Sequence, residues 1–437
     1  MKCVANEITQ SGLVCTDLLY TYIQQLIPEV ETLKNAHYQS NYAFSILPSD
    51  SNIYKDVVSL ATIKKQLNPS IIFVIGIGGS NLGTLAIQQA LLSELYNDIT
   101  TNIKIYYIDT TDTTYINQML NIAESMLKEN ASILLNVISK SGKTTETIAN
   151  FELFLSLLKE YYPNNYNDYI VVTTEKNSSL WELAQKESWQ TLDIPTNIGG
   201  RFSVFSAVGL FPLAIIDVDI ESLLKGAQEA TNLCLKPDST NPAALSAAWQ
   251  YALCKEGYHI SNLFVFSNEL VGVSRWWKQL VAESLGKQTK RDGIPNKDAI
   301  LPITSLGSTD MHSIGQLFLA NILPIATTFV AFETKEKKTM LPDYEELFNS
   351  LVPNIQGKSL TTISKSILQG IKKTYKMKEL PYRTITIPEK NAYYIGQLLQ
   401  QTMFEIVYLG YLLGVYPFDQ PSVELYKQET RKILAHE

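Results

Sequence analysis

The sequence predicts an α/β protein with two doubly wound parallel sheets and helical segments at both ends. Three observations point there. Short β-rich runs alternate with helical stretches in the first half: IIFVIGIG (71–78), IKIYYID (103–109), ILLNVISK (133–140) and YIVVTT (169–174). The same alternation returns later with NLFVFS (262–267), AILPITS (299–305) and PIATTFVAFE (324–333). Apolar runs of this length, separated by helices, are the pattern of parallel strands covered on both faces. Finally, 437 residues exceed what one hydrophobic core usually holds, so two domains are expected.

Taken in order, residues 11–38 carry Leu18, Leu19, Tyr22, Ile23 and Leu26 at helical spacing, which predicts an N-terminal helical segment over 1–44. A first α/β domain is expected over 45–190, a second over 191–380, and a C-terminal segment over 381–437. Hydrophobic residues make up 45% of the chain, ample for packing both domains. The formal net charge of -7 argues against a nucleic-acid or anionic-membrane surface, so an anionic ligand would have to be gripped locally.

Cys3, Cys15, Cys234 and Cys254 are scattered and form no pair or cluster with histidine, which suggests neither a disulfide framework nor a zinc site. The N-terminus lacks an apolar signal core. The greasiest run, Leu317 to Phe332, is broken by Asn321 and Pro324 and is too short to span a bilayer. A soluble cytoplasmic protein is expected. His37, His259, His312 and His436 share no ligand spacing, so no metal is expected.

Chemistry concentrates at the turns. Gly76-Ile77-Gly78-Gly79-Ser80-Asn81-Leu82-Gly83 follows the first strand and opens a helix, where free N–H groups and the Ser80 hydroxyl suit an anion. It is no dinucleotide fingerprint, because Asn81 stands where the last glycine belongs, and no P-loop, because no lysine follows Gly83. Ser139-Lys140-Ser141-Gly142-Lys143-Thr144-Thr145 crowds hydroxyls and lysines after a buried strand, as a small phosphate monoester would require. Helix capping is the alternative account, but the hydroxyls are denser than capping alone requires, and two such turns on one sheet favour a phosphate cradle.

Arg201, in NIGGRFSVFSAVG (197–209), heads a very apolar helix and must aim its charge at something. In WWKQLVAESLGK (276–287), Trp276, Leu280, Glu283 and Lys287 share one helical stripe. Glu283 there is either a proton-transfer group or half of an i,i+4 surface pair with Lys287. His312 follows GSTDM in what reads as the first turn of a helix, where the dipole favours a neutral imidazole. Pro421 opens a last helix, with Lys427 two turns in, on what could equally be a solvated face.

Together GIGGSNLG, SKSGKTTET, GGRFSVFSAVGLFP, QLVAESLGK, GSTDMHSIGQL and PFDQPSVELYK resemble the phosphoglucose isomerase family, in that family's order, from about residue 75 to 430. The resemblance implies two sugar-isomerase (SIS) domains, with the active site in the crevice between them and completed by the C-terminal segment. It implies that Glu283 is the base carrying a proton between C1 and C2, that Arg201 stabilises the enediolate, and that Gly200 and Gln279 line the site. His312 and Lys427 match the pair that opens the sugar ring, with Gln420 close by. Gly79, Ser80, Ser139, Ser141 and Thr144 match the phosphate grip, with Lys140 beside them.

The implied activity interconverts D-glucose 6-phosphate and D-fructose 6-phosphate without cofactor, in a homodimer where His312 reaches the partner's site. Departures from the family pattern are Lys143, Thr147, Ser422 and Tyr426. Competing readings are a dual isomerase that also takes mannose 6-phosphate, a catalytically silent sugar-phosphate-binding regulator, and an oxidoreductase using Asp109 after the glycine turn.

Overall fold

The computed structural model describes residues 5–8, 14–333 and 339–436. Its ten strands are β1 (Ala5–Ile8), β2 (Pro69–Ile75), β3 (Lys104–Ile108), β4 (Ser132–Ile138), β5 (Ile170–Thr174), β6 (Gln190–Asp193), β7 (Ile260–Val265), β8 (Leu301–Leu306), β9 (Ile325–Phe332) and β10 (Tyr382–Ile387). They form two five-stranded sheets, in the orders β3-β2-β4-β5-β6 and β1-β10-β9-β7-β8. Every pairing in the first sheet is parallel, as are those among β7, β8, β9 and β10.

All seven strand runs expected from sequence are present, because β2, β4 and β5 are almost wholly buried and their apolar content is legible. Three strands were missed. β6 is four residues long with two exposed positions, a weak signal. β10, YRTITI, looks half polar yet is buried, because Arg383 is satisfied by Thr328 and by an ion pair with Glu405 in the core.

β1 pairs antiparallel with β10. This corrects two expectations: the N-terminal segment is not purely helical, and the second sheet is not purely parallel. The C-terminal segment expected from 381 likewise contributes a sheet strand. The single N-terminal helix expected over 11–38 is two, Thr16–Gln25 and Ile27–Lys34, divided at Leu26 before Pro28; residues 11–13 lie outside the described residues.

Helices cover both faces of each sheet. One core cluster runs continuously between the sheets, and two smaller ones close their outer faces. The shared core is threaded by the helix Ala392–Leu413, nearly all of it buried, as expected for a helix apolar on every side. It packs on the helix Ile220–Cys234 at a crossing that only glycine allows: a Cβ on Gly226 would lie 1.8 Å from the Tyr393 carbonyl oxygen, and one on Gly396 would lie 2.0 Å from that of Leu223. Among the described residues no helix is long and apolar enough to cross a membrane.

Because the first sheet is parallel, the loops after β2, β4, β5 and β6 lie along one edge, where open α/β sheets place ligands. The helix Leu82–Leu92 leaves that edge and packs on Val271–Leu285, which follows β7 of the second sheet. At this crossing a Cβ on Gly272 would stand 3.0 Å from the Ala86 Cα. The contact brings the two sheets' functional edges together.

Gly226→Ala is expected to push the two core helices apart and destabilise the protein by about 1–3 kcal/mol. A urea midpoint equal to that of the parent chain would contradict this packing.

Candidate functional site

Arg201 sits in the short turn Gly200–Phe202, with its side chain fully buried. A buried guanidinium is stable only when its donors are used. Nε donates to the Ser284 hydroxyl (2.8 Å), Nη1 to Glu283 Oε2 (3.1 Å), and Nη2 to the carbonyls of Pro417 and Asp419, the latter at 3.3 Å. Burial pulls its pKa down from the ordinary value, while Glu283 and Asp419 push it back up.

Glu283 lies on Val271–Leu285 beyond the buried Trp276 and Leu280. Its second oxygen accepts from Gln279 Nε2 at 3.0 Å, one turn earlier. Both carboxylate oxygens are therefore oriented by donors, yet the side chain keeps 27% of its surface open. The surface pair with Lys287 is not what forms: Lys287 donates to the Glu283 backbone carbonyl (2.9 Å) and pairs with the Asp419 carboxylate (2.9 Å). The carboxylate's cation is Arg201, from another element.

The glycine turns abut this pair. Gly78 has φ +61°, and a Cβ there would meet Gln279 Nε2 at 2.9 Å. A Cβ on Gly79 would fall 2.1 Å from the Gly200 carbonyl carbon, so the turns after β2 and before Arg201 touch backbone to backbone. Gly79, Gly200, Arg201, Gln279 and Glu283 are thereby gathered, with half-buried Ser80 closing the first turn.

The hydroxyl loop lies alongside, since β4 is the neighbour of β2 and the Ile138 carbonyl would be 2.9 Å from a Cβ on Gly76. Buried Ser139 shares a hydrogen bond with Thr144 (2.9 Å), and the Ser141 hydroxyl accepts from the Lys143 amide (3.3 Å). Thr144 stands at the N-cap of the helix Thr145–Tyr161 but makes no capping bond with its side chain. Capping therefore does not explain that hydroxyl. Lys140 reaches the Thr196 carbonyl; burial lowers its pKa and Glu175 pulls it back up. Lys143 is exposed.

Two sequence-derived candidates stand apart. His312 ends the short turn Thr309–His312, and the next helix starts only at Gly315, so the helix-dipole argument for a neutral ring loses its basis. Its side chain is exposed. Lys427 lies on Pro421–Leu434, a helix with no buried residue, and pairs with Glu424 at 2.7 Å. Among the described residues neither has a hydrogen bond or ion pair with Arg201 or Glu283. Gln420 is half-buried at that helix's N-cap, without a capping bond. Asp109, which an oxidoreductase would use on a ribose, is tied to Asn81 Nδ2 at 2.8 Å.

A family model described as phosphoglucose isomerase matches residues 64–437. The chain belongs to the phosphoglucose isomerase family. It is 34% identical over 389 residues to the glucose-6-phosphate isomerase of Acetivibrio thermocellus, covering 86% of this chain and 83% of that protein. Similarity to the enzyme of the same name from Fusobacterium nucleatum is 33% over 388 residues, covering 86% and 82%. Among solved structures, a hypothetical protein of Thermus thermophilus superposes with a TM-score of 0.85 at 27% identity, covering 99% of this chain and all of that one. The glucose-6-phosphate isomerase of Chlamydia trachomatis shares the fold, with a TM-score of 0.79 at 20% identity, covering 97% and 86%. Two sugar-isomerase-type domains are thus the fold of this phosphoglucose isomerase family member.

The residues that sequence reasoning missed are Ser284, Pro417 and Asp419, which surround the Arg201 guanidinium. Ser284 adjoins Glu283 and carried no signal of its own. Asp419 in PFDQP could have been suspected as an acid before a helix-opening proline.

Arg201→Met is expected to release the 417–419 segment, raising amide exchange at Phe418 to Gln420 while leaving the β2 and β4 amides protected. Unchanged exchange in that segment would contradict the anchoring role.

Proposed function

We propose that this chain is a glucose-6-phosphate isomerase, interconverting D-glucose 6-phosphate and D-fructose 6-phosphate through ring opening and a cis-enediol(ate) intermediate, in glycolysis and gluconeogenesis. The observation that carries the reading is a partly open carboxylate, Glu283, held between Arg201 and Gln279 beside two anion-suited turns. In the forward direction the Glu283 carboxylate takes the proton from C2 of the open-chain aldose. The electron pair moves toward the C1 oxygen, and the Arg201 guanidinium balances the negative charge. The proton of the C2 hydroxyl passes to the C1 oxygen, and the same carboxyl returns its proton to C1 as the C2 carbonyl forms, which yields the ketose. General-base catalysis contributes roughly 10² to 10⁴ in rate, and electrostatic stabilisation and positioning must supply the rest.

The hydroxyls of Ser80, Ser139, Ser141 and Thr144, with Lys140 alongside and the backbone at Gly79, hold the phosphate in this reading and supply binding energy remote from the reacting carbons. His312 and Lys427 serve ring opening, with Gln420 near them and Gly200 lining the site. Their exposure in one chain supports a homodimer in which His312 is offered to the partner's site. Leu425, Tyr426, Ile433 and Leu434, all exposed on the last helix, support an uncovered face there. The cytoplasm is the compartment this chemistry implies.

Glu283→Gln is expected to lower kcat by about 10² or more while sugar-phosphate affinity stays within a few-fold of the parent's, because the amide keeps its shape and loses only proton transfer. Turnover near the parent's would remove Glu283 from the chemistry. Mixing Glu283→Gln with His312→Ala chains under subunit exchange is expected to restore activity at a fraction of sites. Failure to restore it, with exchange demonstrated, would mean that each chain works alone.

A further inference from the structure

Lys287 is absent from the catalytic set described above, yet the structure treats it as a fixed part. It lies just beyond the end of the helix Val271–Leu285, and its side chain is only 7% exposed. Its ammonium donates to the Glu283 carbonyl at 2.9 Å and to the Asp419 carbonyl, and it pairs with Asp419 Oδ1 at 2.9 Å. Three acceptors match the three donors an ammonium carries. Arg201 shares the Asp419 carbonyl with Lys287, binds the Pro417 carbonyl as well and reaches Glu283 Oε2.

The contacts close a circuit: Glu283 carboxylate, Arg201, Asp419, Lys287, and back to the Glu283 backbone. We propose that Lys287, through Asp419, is a positioning residue that braces the Glu283 helix against the loop leading to Gln420 and Lys427, and so sets the register between the proton-transfer and ring-opening groups. This rests on the isomerase reading above.

Energetics favour a positioning role over a simple packing one. Burial lowers the Lys287 pKa and the nearby Arg201 lowers it further, while Asp419 and Glu283 raise it. Two neighbouring buried cations are costly, and an apolar side chain of similar length would be cheaper if only volume mattered. The loop also has anchors other than Lys287. Arg291 holds the Val415 carbonyl at 3.0 Å, and the Phe418 ring packs against Phe44, Phe202 and Tyr42. The phosphate-suited hydroxyls sit on the other sheet, so the brace should act on turnover rather than on the grip.

The test is steady-state kinetics on fructose 6-phosphate with the full-length chain and its Lys287→Met, Lys287→Arg, Asp419→Ala and Lys287→Met/Asp419→Ala variants. Lys287→Met is expected to lose about 10- to 100-fold in kcat with KM changed less than about threefold, since small misplacements cost that much. Lys287→Arg should recover most of the loss. The double variant should be no worse than Lys287→Met alone, as for two residues acting as one unit. A kcat for Lys287→Met within about twofold of the parent's, a loss confined to KM, or losses that multiply in the double variant would overturn the brace. If Lys287→Met loses its near-UV circular dichroism, Asp419→Ala carries the same kcat test, because Asp419 is half exposed. Inactivity of the parent chain would instead strike the isomerase reading itself.

Discussion

The site depends on one buried cation. Arg201 has no access to water, so its donors must be answered from within, and the answers come from Glu283, Ser284, Pro417 and Asp419. Those partners belong to two segments far apart in sequence, and Arg201 itself to a third. Satisfying one guanidinium therefore fixes the helix after β7, the turn before the apolar helix Ala207–Ile215 and the loop before the last helix relative to each other. Removing the charge would leave the buried Ser284 hydroxyl and Pro417 carbonyl without their partner, each costing on the order of 1–3 kcal/mol.

The fold supplies what that cation needs. The helices that leave β2 and β7 cross at Gly272 and Ala86, which brings the strand ends of the two sheets close. Gly79 against Gly200 then lets two backbones touch, so the anion-suited turn sits beside the oriented carboxylate. A side chain at Gly79 would hold the turns apart. The chemistry asked of the site, a base next to a cation at a phosphate cradle, follows from this approach of backbones as much as from the side chains.

Much of this was legible in the sequence, for a physical reason. Strands such as IIFVI and ILLNVI are buried on both faces and must be apolar throughout, so they announce themselves. The β10 strand did not, because its Arg383 is neutralised by Glu405, 22 residues later on a helix that no local pattern connects to it. Likewise the i,i+4 spacing made Lys287 the natural partner of Glu283, whereas the fold supplied Arg201 from 82 residues upstream. Local periodicity reads which face is buried; it does not read which distant charge answers a buried one. The ring-opening role of His312 and Lys427 came from family resemblance alone, and a single chain leaves both on the surface.

The central claim is that Glu283 and Arg201 move a proton between adjacent carbons of a sugar phosphate. It is tested most directly by incubating the purified protein with fructose 6-phosphate and a chelator in D₂O and following the products by NMR. The account predicts glucose 6-phosphate carrying deuterium at C2. Sugar phosphate that binds but is recovered unconverted and unlabelled would contradict it.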